Sequence, residues 1–397
     1  MANKKSKMKF ANVERFSMPL ASFSEKVHNK YVRSGTDNQF PQYLIELYNR
    51  SAIHSACVDS IVHGVIGEGL TANEEEFLEV ANKKKQTWND IFNRVALDYY
   101  LHGSFALEII YSRDRSRIAE VYHIDFSTIR AREKNHRGII PGYYISNDWR
   151  NQFIQVNEEN SLYLPAFDLN KSKEEACQIF VVQNYFPGQE YSPLPQYGGA
   201  LRTIELDVEI DNFHVNNLKN GLSPSLIINT FTNGTEADLE SVENMLRANY
   251  GGTGNAGNLM LIDTDSPENA PIITPVSQNG ADGYYQNINE MSIQQILTAH
   301  RITSPMLLGI KTEGQLGGRS ELIDARILFE HNVIAPLQQQ ILRQLEGILE
   351  VNYPGIVLGV NTKTLYEDGE VEEEVVTSVE VTDEEQDTTN PEDVPTL

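Results

Sequence analysis

Apolar and polar positions alternate along the chain in two rhythms. Over residues 41–65, Leu44, Leu47, Ile53, Cys57, Ile61 and Val65 recur at roughly helical spacing, and residues 87–102 repeat the pattern. Both segments read as amphipathic helices, separated by a break at Gly67 and Gly69 and a mixed-charge stretch from Glu74 to Lys85. Between 104 and 190 the rhythm shortens. Runs at 104–111, 118–124, 142–145, 153–156 and 178–182 are rich in β-branched and aromatic residues and parted by turn formers. This spacing predicts a β meander, not an array of βαβ units.

A helical pattern returns over 197–219. Its stripe of Leu201, Ile204, Val208, Val215 and Leu218 is interleaved with Glu205, Asp207, Glu209 and Asp211, and Asn220-Gly221 ends it. A strand–helix–strand unit follows, with strands at 225–229 and 258–262 around a helix at 236–250. A second polar helix spans 284–300. A loop with glycines at 309, 314, 317 and 318 then leads to a long amphipathic helix, 320–349, interrupted only by Pro336. A strand is expected over 355–365, and no internal repeat is present.

Charge changes the picture at one end. The chain has 397 residues and a net charge of −24, from 56 acidic and 32 basic side chains. Thirteen of the acids and none of the bases lie in 367–397, so the body carries 43 acids against 32 bases. That balance argues against a protein that grips nucleic acid through a basic patch. The tail reads as a disordered, solvating extension. The basic N-terminus lacks the apolar run of a secretory signal, and no stretch approaches the ~18 apolar residues of a membrane span. Cys57 and Cys177 form no CxxC pair and read as reduced, buried thiols. The expectation is an intracellular soluble protein with no membrane partner.

Catalytic signatures are missing. HExxH, CxxC, GxSxG and a complete P-loop are all absent, and the Gly309-Ile-Lys311-Thr312 segment lacks the upstream glycine spacing. Gly252-Thr-Gly254-Asn-Ala-Gly257 fits GxGxxG, but a helix precedes it and a strand follows, the reverse of a dinucleotide site. His54 and His63 share no liganding pattern, and Asp263 with Asp265 reads as a solvated turn. No catalytic residue, cofactor or metal is expected.

Four segments, in order, resemble the portal proteins of tailed bacteriophages. They are Ile53 to Val65 with its central Cys57-Val58; Ser192-Pro-Leu-Pro195 opening a helix that ends in Asn220-Gly221-Leu-Ser-Pro224; Ile302-Thr-Ser-Pro-Met-Leu-Leu-Gly309; and Phe329 to Pro336 within the final helix. Together they cover about residues 45–350. The resemblance implies an α+β chain of portal architecture, with a β-rich wing, helical stem, small α/β clip, long C-terminal helix and reduced crown. It divides the chain into a flexible basic arm (1–39), wing (40–196), stem helix (197–221), clip (222–262), linker with second stem helix (263–301), tunnel loop (302–319), C-terminal helix and strand (320–366) and acidic tail (367–397).

The resemblance further implies a ring, typically of twelve subunits, at one vertex of the virion capsid. That ring would conduct double-stranded DNA without sequence specificity during packaging and ejection. Its other partners would be the large terminase, a head–tail adaptor and the major capsid protein, with assembly in the host cytoplasm. It would not be an enzyme. Lys311, Thr312, Glu313, Gln315, Gly317 and Gly318 would form the tunnel loop nearest the DNA, and Asn233, Glu236, Asp238 and Asn255 would face terminase from the clip. Two helices could line the channel: the first through Glu205, Asp207, Glu209 and Asp211, the second through Gln286, Asn289, Gln294 and Gln295. Because the four acids alternate, they cannot all face one way on a helix. A capsid-associated nuclease or hydrolase, or a cellular scaffold protein, is the competing expectation.

Overall fold

The computed structural model describes residues 27–28, 30–74, 76–150, 156–157, 159–220, 226–230, 259–263, 281–310 and 319–362. These belong to the unit that ends at Thr362; the second unit, 363–397, contains the acidic tail and lies outside the described residues. A short hairpin, β1 (Val27–His28) with β2 (Tyr31–Val32), precedes helices α1 (Phe40–Arg50) and α2 (Ala52–Ile66). The expected arm boundary at 39 therefore falls too late. Tyr31 and Asn38 are wholly buried and Val32 nearly so, because Tyr31 packs against Trp149 and Asn38 is hydrogen-bonded to Arg130. Residues 1–26 lie outside the described ones.

After β3 (Leu70–Ala72), helix α3 (Trp88–His102) occupies the predicted span. Its start is set by a capping box. The Asp90 N–H donates to Thr87 Oγ1 at 3.1 Å while the Thr87 N–H donates to Asp90 Oδ2 at 2.8 Å. Its end is set by Gly103 at φ 72°, where an added Cβ would meet the Leu194 carbonyl at 2.8 Å.

The β region follows as β4 (Ser104–Tyr111), β5 (Ile118–Ile124), β6 (Ile129–Ala131), β7 (Gly142–Ile145), β8 (Leu162–Pro165) and β9 (Cys177–Gln183). They form two antiparallel sheets, ordered β5-β4-β9 and β6-β7-β8. The two-residue period decides which side each residue serves. Phe105, Leu107 and Ile109 face the helices, while Ala106 and Ile179 pack with Ile129, Tyr143 and Leu164 of the second sheet and with Phe126 just before it. Of the strand expected at 153–156, only Val156 is described. It packs outside any strand against Trp149, and β8 pairs with β7 as the third strand of its sheet.

Helix α4 (Leu201–Asn220) leads to β10 (Leu226–Thr230) and β11 (Leu259–Asp263), which pair in parallel, Leu226 opposite Leu259. The helix expected at 236–250 and the GxGxxG run lie outside the described residues. Helix α5 (Ala281–Ala299) is next, then α6 (Arg319–Phe329) and α7 (Ala335–Leu349). The single long helix expected over 320–349 is instead broken by a π turn, Glu330–Ile334. Pro336 has no N–H to offer the Asn332 carbonyl, so the chain widens for one turn and the Ala335 N–H reaches back five residues to Glu330. This turn lies against Gly64 of α2, where a Cβ would come within 2.7 Å of Ile334 Cδ1. The last strand, β12 (Leu358–Val360), is shorter than expected and pairs antiparallel with β3.

One core joins these helices. Cys57, Val58 and Ile61 of α2 and Ile91, Phe92 and Val95 of α3 are fully buried among Ile204 of α4, Ile296 of α5 and Leu345 and Ile348 of α7. Both cysteines are free; burial pushes the Cys57 thiol up to about 12, and it pushes Cys177 to about 12 beside Glu108.

Candidate functional site

The helices α4 and α5 pack side by side, and their sequences decide what each shows. Leu201, Ile204 and Val208 turn one face of α4 to the core, and Ser292, Ile296 and Leu297 do so for α5. Thr203 Oγ1 donates to Gln295 Oε1 at 3.0 Å across the pair. Beside that bond a shallow groove of about 440 Å3 is lined by Gln196, Gly199, Thr203, Gln294, Gln295 and Thr298.

The four acids of α4 part company, as their spacing requires. Glu209 and Asp211 are exposed and Glu205 is half-buried. Asp207 is buried, so it does not join an open acidic face. It accepts the Ser51 hydroxyl at 2.7 Å, and Ser51 in turn caps α2 by accepting the His54 N–H at 3.2 Å. The carboxylate thus sits beside the positive end of α2, where a negative charge is favoured. Burial raises the pKa values of both Glu205 and Asp207, with the neighbouring acids Glu209 and Asp211, respectively, adding to it. The outward arc of α4 is mixed: Arg202, Leu206, Glu209 and Phe213, with Leu206 44% and Phe213 39% exposed.

On α5, Asn289, Gln294 and Gln295 are exposed, along with Met291 and Thr298. Gln286 falls in the helix, but its side chain lies outside the described residues. Lys311, Thr312, Glu313, Gln315, Gly317 and Gly318, and Asn233, Glu236, Asp238 and Asn255, lie wholly outside the described residues.

A buried polar joint that sequence reasoning passed over fastens these helices to the body. His54 Nδ1 and His300 Nε2 lie 2.9 Å apart, and His300 Nδ1 is 2.7 Å from the Tyr100 hydroxyl. Tyr197 stacks on His300 with ring centroids 5.0 Å apart and donates its own hydroxyl to the Leu101 carbonyl at 2.8 Å. Burial depresses both imidazoles, His54 to about 4 and His300 further because His54 lies beside it. The readable sign was His54 itself, a polar residue on the apolar stripe that contains Cys57 and Ile61.

A family model described as phage portal protein matches residues 71–368. The chain belongs to the phage portal protein family. That family is one of the head–tail connector, and the α+β fold agrees with its solved relatives. The portal chain is 25% identical to the probable portal protein of Haemophilus phage HP1 (strain HP1c1) over 195 residues, 49% of this chain and 55% of that one. It is 29% identical to the probable portal protein of Escherichia phage P2 over 261 residues, 65% of this chain and 67% of that one. It thus spans about half the length of the HP1 relative. Among solved structures, a chain in the virion of a native gene transfer agent particle superposes with TM-score 0.54 at 13% identity, covering 81% of this chain and 83% of that one. A chain from the neck of the native particle, computed with C12 symmetry, gives 0.53 at 14%, covering 81% and 84%. These two share the fold. Among the described residues, no helix of this portal chain is long and apolar enough to cross a membrane.

Proposed function

We propose that twelve copies of this chain form a ring at one capsid vertex, the channel through which double-stranded DNA passes during packaging and ejection. The family match over residues 71–368 carries this reading, and the C12 neck of the gene transfer agent supports the number. We assign it no reaction: it acts as a conduit, docking the large terminase first and a head–tail adaptor later, set within the major capsid protein shell of a virion assembled in host cytoplasm. In this reading 40–196 is the wing, α4 and α5 the stem, β10 and β11 the clip, and 302–319 the tunnel loop. A two-stranded sheet is marginal on its own, which suits a clip completed by neighbouring copies. Leu206 and Phe213 are the apolar groups that such a neighbour would cover.

The charge balance supports a conduit. A basic wall would release counterions at each phosphate and hold the polymer in place. A body of 43 acids against 32 bases offers little of that, and Gln294, Gln295 and Thr298 offer uncharged hydrogen-bonding groups. Electron microscopy of the purified chain tests the ring. A closed particle with a central hole wide enough for duplex DNA is expected, and failure to form one under all assembly conditions would overturn the proposal.

The tunnel loop carries a separate prediction. Glycines at 309, 314, 317 and 318 let a backbone change conformation at low steric cost. Replacing Gly317 and Gly318 with proline should leave the ring intact and sharply reduce DNA packaged per capsid in a packaging assay. Wild-type packaging by that variant would remove any need for a moving loop.

A further inference from the structure

A second polar cluster, buried at Asp98 and His102 and open at Asp125, lies where α3 ends, and the channel reading does not use it. Asp98 and His102 are one helical turn apart and share a face. The end of β5 brings His123 and Asp125 to the same place. One oxygen or nitrogen of each of Asp98, His102 and Asp125 lies within 4.8 Å of the other two. His123 Nε2 is 2.8 Å from Asp98 Oδ2, which also accepts the Phe126 N–H at 3.1 Å. Asp125 Oδ1 accepts the Ser127 N–H at 2.8 Å. Each carboxylate therefore keeps one oxygen with no hydrogen bond among the described residues.

His102 is the feature that asks for an explanation. It is 2% exposed, and its Nδ1 has no hydrogen-bond partner among the described residues. Leaving a buried polar atom unpaired is costly, and this one lies in a histidine beside two carboxylates. One nitrogen and two carboxylate oxygens are the mixed donor set of a zinc-like ion, whereas magnesium and calcium favour oxygen alone. Ligands bonded at ~2.0–2.1 Å in a tetrahedron stand about 3.3 Å apart, so the cluster closes on an ion by side-chain rotation.

We infer that Asp98, His102 and Asp125 bind one divalent transition-metal ion of the zinc class per chain, with His123 holding Asp98 in position. The ion would tie the end of α3 to the turn that leads into β6, joining the helical core to the β6-β7-β8 sheet. This departs from the expectation of no metal, because Asp125 is distant in sequence from the helical pair Asp98 and His102.

The test uses the full-length chain freed of metal with a chelator. Titration with Co2+ should give visible d–d absorption saturating at one ion per chain, displaced by Zn2+. Zn2+ should also raise Tm by several degrees, and Mg2+ should not. Asp125→Asn keeps an oxygen to cap Ser127 and sits at an exposed position, so it should fold normally while binding Co2+ at least tenfold more weakly. Absence of Co2+ absorption in the wild type, or equal affinity in the wild type and D125N, would overturn the site.

Discussion

Acidifying the chain from pH 7 to pH 5 is expected to lower its stability by several kcal/mol, with the His54–His300 pair as a main cause. Both imidazoles are neutral in the folded chain, depressed by burial below the ordinary value near 6.5. Among the described residues neither ring is hydrogen-bonded to a carboxylate, and Tyr100 and Tyr197 lie against them. Below pH 6.5 the unfolded chain takes up protons that the folded chain refuses. Stability is therefore complete above about 6.5 and falls as pH drops toward about 4. Each histidine contributes a slope of about 1.4 kcal/mol per pH unit inside that window.

Other groups share the window, so the decisive measurement is a difference. His102 acts in the same sense, while Glu205, Asp207 and Glu330, whose carboxyls are raised, act in the opposite one. His300→Gln can still accept from Tyr100 and donate to His54, and it cannot titrate. Urea midpoints at pH 7 and pH 5, at one fixed protein concentration because ring assembly would shift them, should show a shallower loss in H300Q. Identical losses in H300Q and the wild type would remove the pair from the account.

How much of this was legible follows the range of the forces involved. Local patterns wrote α3 plainly, since Thr87, Asp90 and Gly103 set its ends within the span they bound. The stem stripe of α4 was equally readable, and so was the impossibility of four alternating acids facing one way. Which acid turned inward was not, because Asp207 is held by Ser51, 156 positions earlier. Pro336 announced a break in the last helix, yet the break lies just before it, where the carbonyl it cannot serve must find another donor. β8 escaped notice because Pro165 closes it and polar residues precede it, as suits a strand at a sheet edge. The ordered stretch from Tyr31 to Asn38 escaped for a similar reason. Its partner, Arg130, stands about 90 residues away on β6.

That arginine carries the other large prediction. Arg130 is 2% exposed, and among the described residues no carboxylate is hydrogen-bonded to it. Its Nε donates to Asn38 Oδ1 at 2.8 Å, Nη1 to the Ser127 and Ile129 carbonyls at 2.9 and 2.7 Å, and Nη2 to the Asn38 carbonyl at 2.7 Å and Gln42 Oε1 at 3.2 Å. The Trp149 ring lies 5.1 Å away and faces the cation. Burial lowers its pKa to about 9, which still leaves it charged at neutral pH. Five neutral acceptors thus replace the water that a buried guanidinium loses, and the same bonds pin Asn38 and Gln42 against β6. Arg130→Met leaves those acceptors unserved in a dry site and should cost about 3–5 kcal/mol. Arg130→Lys keeps the charge without the planar fork, so it should fall between the two. Hydrogen exchange would separate this from general loosening: amides over 30–42 should lose protection in R130M well before those of α3. A midpoint within about 1 kcal/mol of the wild type would mean that the guanidinium's bonds only balance the cost of burying it.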